Sequence, residues 1–242
     1  MAKVDLSPEQ RRLAETLYTT TTQGKVNRRF QNPDQTYRFE SITRPVELMD
    51  FPKHPGEFAL KLHEKRPDAP LSPFFLNFRN LSDEVLKVTA EAMASLPISR
   101  RPDMCTGIPN AGEPIAKAYS KVTDIPYVDI FDKIDLSNGT RLIIPKNPGT
   151  RIRGQILITD DLVTGADTKF EAITAAEILG LKVVGIAVAI DREQGGAQQL
   201  IDAGYPFYAA LKVTELLKYG VQTNRLSEDS YQNILQYLGK SK

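Results

Sequence analysis

Hydrophobic and polar residues recur along the chain in two different periods. From residue 71 onward, short apolar runs alternate with longer segments whose apolar positions recur every three or four residues. The run VVGIAVAI at 183–190 lacks the polar alternation of a strand with one solvated face. Buried strands separated by amphipathic helices predict an α/β domain with an open, doubly wound, mainly parallel sheet.

The order of these segments gives a series of alternating strands and helices. We predict strands at 73–78, 103–109, 125–131, 155–161 and 181–193. We predict helices at 82–96, 111–122, 168–180 and 227–238, and a polar stretch containing glycine and proline at 132–154. The strand that contains 156–161 is expected near the middle of the sheet. Ligands of such sheets bind beyond the carboxyl ends of the strands, which selects the loops after Gly107, Asp161 and Asp191.

The first 57 residues lack this regular alternation. Ser7 and Gln10 have the spacing of a capping box, and the apolar positions that follow predict a helix over 7–20. Turn residues and short strand-like pieces at 23–57 predict a hairpin with connecting loops. We therefore divide the chain into an N-terminal helix with an insertion, 1–57, and a core with a C-terminal helix, 58–242.

Composition narrows the classes of function. The 242 residues carry a formal net charge of +1, so nothing indicates a nucleic-acid-binding surface or a polybasic membrane anchor. The single cysteine excludes an intramolecular disulfide, and two histidines do not support a Cys/His zinc site. The sequence shows no signal-peptide core and no membrane-spanning run, so we expect a cytoplasmic protein.

The segment ILITDDLVTGADT (156–168) carries the clearest chemical signal. A buried strand ends in two carboxylates, Asp160 and Asp161, which we expect to be partly exposed, and a loop of small and hydroxyl residues leads directly into a helix. The backbone N–H groups of such a loop and the positive end of the helix dipole bind phosphate. Carboxylates beside such a loop accept hydrogen bonds from the hydroxyl groups of a sugar. The segment therefore predicts a site for a phosphorylated sugar.

This segment resembles the motif with which type I phosphoribosyltransferases bind 5-phosphoribosyl-1-pyrophosphate (PRPP). The resemblance implies that Asp160 and Asp161 act on the ribose hydroxyls, and that Mg²⁺ binds through PRPP with Asp160 as a candidate ligand. It also implies a 5′-phosphate loop formed by Thr164, Gly165, Ala166, Asp167 and Thr168. The loop departs from the family pattern, because Gly165 follows Thr164 directly and Asp167 adds a carboxylate.

A second segment, DREQGG (191–196), resembles a signature of the orotate phosphoribosyltransferase part of uridine-monophosphate synthases. The guanidinium of Arg192 offers two parallel donors to a carboxylate, the group that distinguishes orotate from uracil. The resemblance implies that Arg192 and Thr164 contact the base. The alternative for Arg192 is a salt bridge at the surface or within its own loop.

Two upstream segments resemble further parts of the same family. FALK (58–61) followed by LSPFFLNFR (71–79) implies that Lys61 approaches the pyrophosphate, and that Phe74 and Phe75 line the base pocket unless they are simply core residues. GIPNAGEP (107–114) stands at the position of the family's pyrophosphate loop. The PRPP-binding residues implied there are Asn110, Ala111 and Gly112.

The mobile catalytic loop of the family, of the form RKxxKxHG, corresponds to DKIDLSNGTR (132–141). Lys133 is retained as a candidate catalytic residue, whereas Leu136 stands at the catalytic lysine and Asn138 at the histidine. Because this loop reaches into a partner subunit in the family, the resemblance implies a homodimer. The implied activity is phosphoribosyl transfer from PRPP to orotate. The alternatives are another acceptor base, or a PRPP-binding protein of the same fold with weak catalysis.

Overall fold

Seven helices and ten strands are formed by the residues that the computed structural model describes, namely 3–59, 63, 66–136 and 141–239. The helices are α1 Pro8–Thr19, α2 Asp83–Ala94, α3 Gly112–Thr123, α4 Asp167–Ile178, α5 Gly196–Asp202, α6 Val213–Gln222 and α7 Glu228–Tyr237. The strands are β1 Thr21–Gln31, β2 Tyr37–Glu47, β3 Met49–Asp50, β4 Phe75–Leu76, β5 Met104–Gly107, β6 Phe131–Asp135, β7 Arg141–Pro145, β8 Gln155–Val163, β9 Lys182–Asp191 and β10 Phe207–Lys212.

The chain forms two compact units that are interleaved in sequence. The first contains Met1–Lys3, Ala14–Phe78 and Leu217–Lys242, and the second contains Val4–Leu13 and Arg79–Leu216. The domain boundary expected between residues 57 and 58 stays a prediction. No helix within the described ranges is long and apolar enough to cross a membrane.

The second unit is built on a four-stranded sheet in the order β10-β9-β8-β5, with all three neighbouring pairs parallel. This confirms the predicted α/β fold, and β8 lies inside the sheet as expected. A single parallel bridge between Cys105 and Tyr127 adds to the outer edge of β5. The carboxyl ends of β5, β8 and β9 therefore lie side by side at one edge of the sheet.

The apolar runs of β8 and β9 are buried, as their sequence predicts. Ile156 and Ile158 of β8 belong to one buried cluster with Ala172, Ile173 and Ala176 of α4. Each large side chain buried in this way contributes about 1.5–3 kcal/mol to folding. The packing fixes α4 on the sheet and thereby fixes the loop that joins β8 to α4.

Two predictions for the second unit are wrong in detail. The strand expected over 125–131 is reduced to the bridge at Tyr127, because Pro126 has no N–H group to continue a ladder. The polar stretch 132–154, for which no strand was predicted, contains most of the antiparallel hairpin β6–β7, in which Phe131 pairs with Pro145 and Asp135 with Arg141. Residues 137–140 between these strands lie outside the described part of the chain.

The first unit contains the hairpin expected over 23–57. Strands β1 and β2 pair antiparallel from Thr21 with Glu47 to Gln31 with Tyr37. The strand expected over 73–78 is only Phe75–Leu76, which pairs antiparallel with β3. Prolines at 70 and 73 cannot donate to a ladder, which limits pairing in this stretch. The capping box at α1 is present, since Ser7 N donates to Gln10 Oε1 and Gln10 N donates to Ser7 Oγ.

Candidate active site

Three helices of the second unit begin at the carboxyl edge of the sheet, directly after β5, β8 and β9. Their N-cap residues are Ala111, Ala166 and Gly195, and no described side chain caps any of the three. By contrast, Ser82 and Ser227 cap α2 and α7 with their hydroxyl groups. Small uncapped starts leave first-turn N–H groups directed beyond the sheet edge, which is the arrangement that binds anions.

Asp160 lies at this edge, but it is not partly exposed as expected. Only 6% of the residue is exposed, and its Oδ2 atom forms an ion pair with Lys169 Nζ at 2.8 Å. Its Oδ1 atom accepts a hydrogen bond from Asp161 N at 2.9 Å. The expectation of two similar, partly exposed carboxylates is therefore wrong for Asp160, because a buried cation holds it inside the structure.

Lys169 was not identified from the sequence. It lies in the first turn of α4, is 6% exposed, and also donates from Nζ to the carbonyl oxygen of Leu162 at 2.7 Å. A cation in the first turn of a helix opposes the helix dipole and needs a nearby anion. That unfavourable position, nine residues after a carboxylate pair, is the signal in the sequence that points to the contact.

Asp161 differs from Asp160 in its surroundings. The residue is half-buried, and its Oδ1 atom accepts a hydrogen bond from Leu162 N at 2.8 Å. Burial and, to a smaller extent, the neighbouring Asp160 raise the pKa of Asp161 to about 8, while Lys169 opposes the effect. The two carboxylates and Lys169 together therefore carry little net negative charge, which suits a site for an anionic ligand.

The loop after β8 is supported by the segment after β9. Gly196 N donates to Thr164 O at 2.9 Å, Arg192 N donates to Val163 O at 3.0 Å, and Gln199 Oε1 accepts from Ala166 N at 3.1 Å. A Cβ atom on Gly196 would lie 2.7 Å from Thr164 O and 2.8 Å from the carbonyl carbon of Gly165. The glycine in the second segment is thus required by close contact with the loop of the first.

Residues 164–168 form the short loop and first helical positions predicted for phosphate. Thr164, Gly165 and Asp167 are exposed, Thr168 is half-buried, and Ala166 is buried. A Cβ atom on Gly165 would meet nothing within 4 Å, so the space in front of this residue is open. Asp167 lines a groove of about 470 Å³ between β7 and α4. Its carboxylate therefore has room away from the loop.

Arg192 directly follows β9 and is buried, with 9% of the residue exposed. The following turn is fixed by Asp191 Oδ1, which accepts from Glu193 N at 2.7 Å, and by Glu193 Oε2, which accepts from Thr214 N at 2.9 Å. The structure thus brings Arg192 next to the loop at Val163, as the shared sheet edge predicts. A buried guanidinium needs hydrogen-bonding partners, which agrees with either a ligand or a structural role.

The loop after β5 completes this edge of the sheet. Asn110 is exposed, Ala111 is half-buried, and Gly112 begins α3. A Cβ atom on Gly107 would lie 2.2 Å from Gly112 O, so the loop turns back tightly on its own strand. Lys133 of β6 donates from Nζ to Pro109 O at 3.1 Å. The candidate catalytic lysine is therefore attached to the predicted pyrophosphate loop.

The described part of the second unit does not include three of the predicted residues, Phe74, Phe75 and Lys61. Phe74 and Phe75 belong to the first unit, where Phe74 is buried and Phe75 stacks on Phe58 at a ring distance of 5.3 Å. Lys61 and Asn138 lie outside the described residues. Leu136 is described and exposed.

No cluster of three or more His, Cys, Asp or Glu side chains that could hold a metal ion is found within the described ranges. The nearest candidate, Asp160, already faces the ammonium group of Lys169. A metal held mainly by ligand oxygens, with at most one or two protein carboxylates, is the form of Mg²⁺ site that these residues fit.

The chain is similar in sequence to several orotate phosphoribosyltransferases. No family model matches the chain. It is 27% identical over 157 residues to an orotate phosphoribosyltransferase of Aquifex aeolicus, covering 61% of this chain and 82% of the relative. It is 26% identical over 191 residues to the Caenorhabditis elegans enzyme of the same name, covering 76% and 79%.

Among solved structures, Leishmania donovani UMP synthase superposes with a TM-score of 0.68 at 23% identity. The match covers 96% of this chain and 42% of that chain, so this protein spans less than half of its length. The parallel sheet and the acidic strand end are similar to those of the type I phosphoribosyltransferases. Within that class, the chain is similar to the orotate phosphoribosyltransferases.

Proposed function

We propose that this protein transfers the phosphoribosyl group of PRPP to orotate, giving orotidine 5′-monophosphate and pyrophosphate. The carrying observation is the contact between the acidic strand end with its loop, 160–168, and the segment 191–196. The first segment has the chemistry for a phosphorylated sugar and the second offers an arginine for a carboxylate. Their direct contact supports a site in which both substrates meet. The names of the curated relatives support the same acceptor.

The sugar phosphate is assigned to the loop after β8. The uncapped first turn of α4 and the hydroxyl groups of Thr164 and Thr168 supply donors for the 5′-phosphate. Open space in front of Gly165 lets the phosphate approach the backbone closely. Asp161 is half-buried beside this loop. It can accept hydrogen bonds from ribose hydroxyl groups and, when protonated, can donate one to them.

The pyrophosphate is assigned to the loop after β5. During transfer, the bond from C1′ to the pyrophosphate oxygen breaks, a bond from C1′ to the base nitrogen forms, and that nitrogen releases its proton to pyrophosphate or water. Negative charge therefore grows on the leaving group. Donors of Asn110, Ala111 and Gly112, together with Lys133, stabilise that charge. Mg²⁺ would bind through PRPP and would offset its negative charge, because the ion pair with Lys169 disfavours Asp160 as a direct ligand.

The base is assigned to Arg192 and Thr164, which both belong to the second unit. The roles that the resemblance implies for Phe74, Phe75 and Lys61 stay predictions. We further propose a cytoplasmic homodimer, since the family's catalytic loop acts across a subunit boundary. Sedimentation at micromolar concentration tests the dimer. A species of 27.0 kDa alone contradicts it.

The reaction is tested by mixing the purified protein with PRPP, Mg²⁺ and, separately, orotate, uracil, adenine or hypoxanthine. We expect pyrophosphate release with orotate and not with the other three bases. Asp161→Asn is the variant with a defective site: it removes one carboxylate of the site, and we expect it to release less pyrophosphate than the wild type. Release with a different base alone overturns the assignment of orotate.

A second candidate function is PRPP binding with little turnover. It is favoured by Leu136, an exposed apolar residue at the position where the family carries its catalytic lysine. Calorimetry distinguishes the two. PRPP binding without pyrophosphate release from any base supports this candidate, whereas release that depends on orotate excludes it.

A further inference from the structure

Lys169 contacts the two residues that flank Asp161, namely Asp160 and Leu162. Its Nζ atom lies 2.8 Å from Asp160 Oδ2 and 2.7 Å from Leu162 O. We propose that Lys169 is a positioning residue that holds Asp160 in the protein scaffold, so that Asp161 alone of the pair contacts the sugar hydroxyl groups. This inference rests on the proposed function.

Both oxygens of Asp160 are already engaged. Oδ2 pairs with the ammonium group of Lys169, and Oδ1 accepts the backbone N–H group of Asp161. The side chains of Asp160 and Lys169 are 8% and 7% exposed. A sugar hydroxyl that bound Asp160 would have to compete with a buried charge-assisted contact, which is stronger than a neutral hydrogen bond.

Space on the other side of Asp160 is also restricted. The start of α3 lies against it, since a Cβ atom on Gly112 would be 3.1 Å from both Asp160 Cα and Oδ1, and 2.6 Å from Thr159 O. A ligand group therefore has no room between this helix start and the carboxylate. Asp160 is enclosed by α3 and by the lysine of α4.

Asp161 is placed differently. Although the neighbouring Asp160 carboxylate is close enough to raise the pKa of Asp161, Asp161 is less enclosed than Asp160, which is only 6% exposed. Asp161 is half-buried, and it lies three residues before Thr164 and four before Gly165, which are both exposed. By holding the residues before and after Asp161, Lys169 fixes the backbone from which this carboxyl group projects.

The test compares four variants: Asp161→Asn, Asp160→Asn, Lys169→Met and the double variant Asp160→Asn with Lys169→Met. PRPP affinity is measured by calorimetry in the presence of Mg²⁺, and the thermal midpoint is measured on the same preparations. Measured above about pH 8, where the Asp161 carboxyl group is ionised, Asp161→Asn should weaken PRPP binding by about ten- to a hundredfold, the effect of one charge-assisted contact, without lowering the midpoint.

Lys169→Met should lower the midpoint, because it leaves the buried Asp160 carboxylate without its cation. The double variant should recover part of that loss, and it should lose less than about threefold in PRPP affinity. Asp160→Asn alone carries the same comparison if the double variant does not fold. A merely structural role would not separate the affinities of the Asp160 and Asp161 variants in this way.

Losses of PRPP affinity that are equal in the Asp160 and Asp161 variants, with binding by the wild type intact, overturn this inference alone. A wild-type protein that binds no PRPP overturns the proposed function and this inference with it. A midpoint that is unchanged in Lys169→Met also overturns it, since the lysine then does not hold Asp160.

Discussion

The ammonium group of Lys133 donates a hydrogen bond to the carbonyl oxygen of Pro109, 3.1 Å away. This contact joins the hairpin β6–β7 to the loop that follows β5. A lysine held at the predicted pyrophosphate loop places positive charge where the leaving group is expected. The hairpin therefore takes part in the candidate site even though the lysine expected at position 136 is absent.

Lys133→Met removes this charge and keeps a side chain of similar length. We expect pyrophosphate release to fall by about ten- to a hundredfold, the value of one charge-assisted contact, while the thermal midpoint changes little because the residue is only half-buried. Steady-state assays with PRPP and orotate measure the effect. Lys121→Met, at an exposed position of α3, is the control and should match the wild type. Equal rates in both variants would remove Lys133 from the mechanism.

Gly196→Ala tests the contact between the two segments of the site. The added Cβ atom would lie 2.7 Å from Thr164 O, so the loop after β8 must move. We expect weaker PRPP binding in calorimetry and a lower thermal midpoint. Gly149→Ala is the matched control, because a Cβ atom there meets nothing within 4 Å. PRPP affinity equal to that of the control would show that the loop does not depend on Gly196.

Arg192→Ala tests how the base is recognised. If the guanidinium binds the carboxylate of orotate, orotate affinity should fall by about ten- to a hundredfold while PRPP affinity changes less. Arg192→Lys should recover little, because an ammonium group cannot donate two parallel hydrogen bonds. Orotate binding is measured in the presence of pyrophosphate, with the thermal midpoint alongside. A lower midpoint with unchanged preference for orotate assigns the arginine a structural role.

Asp50 in the first unit gives a prediction for pH. Its carboxylate is 1% exposed and lies 2.7 Å from Arg44 Nη1, and burial raises its pKa from 3.8 to about 6. The folded state therefore keeps this proton to a higher pH than the unfolded chain does. The contribution of Asp50 to the free energy of unfolding falls as pH rises from about 4 to 6, and the loss is complete above that range.

Asp50→Asn removes this titration. We expect the thermal midpoint of the variant, relative to the wild type, to be higher at pH 7.5 than at pH 4 by a measurable shift. Arg44 keeps its bidentate pair with Glu57, at 3.0 Å and 2.8 Å, in the variant. A difference in midpoint that is the same at both pH values contradicts the raised pKa.

Local features of the fold were predictable from the sequence. The capping box of Ser7 and Gln10, the hairpin after it, and the buried runs of β8 and β9 all follow from patterns within a few residues. The C-terminal helix is also confirmed, with Tyr231 and Ile234 buried on one face. Each of these depends on neighbours in sequence, which is why pattern and propensity suffice.

The misses depend on contacts made at a distance. Prolines near positions 73 and 126 limit the pairing of two expected strands. The partner with which a strand pairs is not determined by the residues of that strand alone. The pairing of Lys169 with Asp160 was missed because a lysine in a first helical turn is ordinarily a solvated residue. The loop that joins β8 to α4 was predicted, whereas the buried ion pair beside it was missed.

The position of β8 inside the sheet has a consequence for how the chain folds. β8 must pair with β5, which precedes it by the whole of α3 and the β6–β7 hairpin, and with β9, which follows after α4. Pairings between distant parts of a chain close large loops and form slowly. The ligand loop at the end of β8 is therefore complete only after both neighbours have docked. During refolding, recovery of PRPP binding should lag behind recovery of helical circular dichroism.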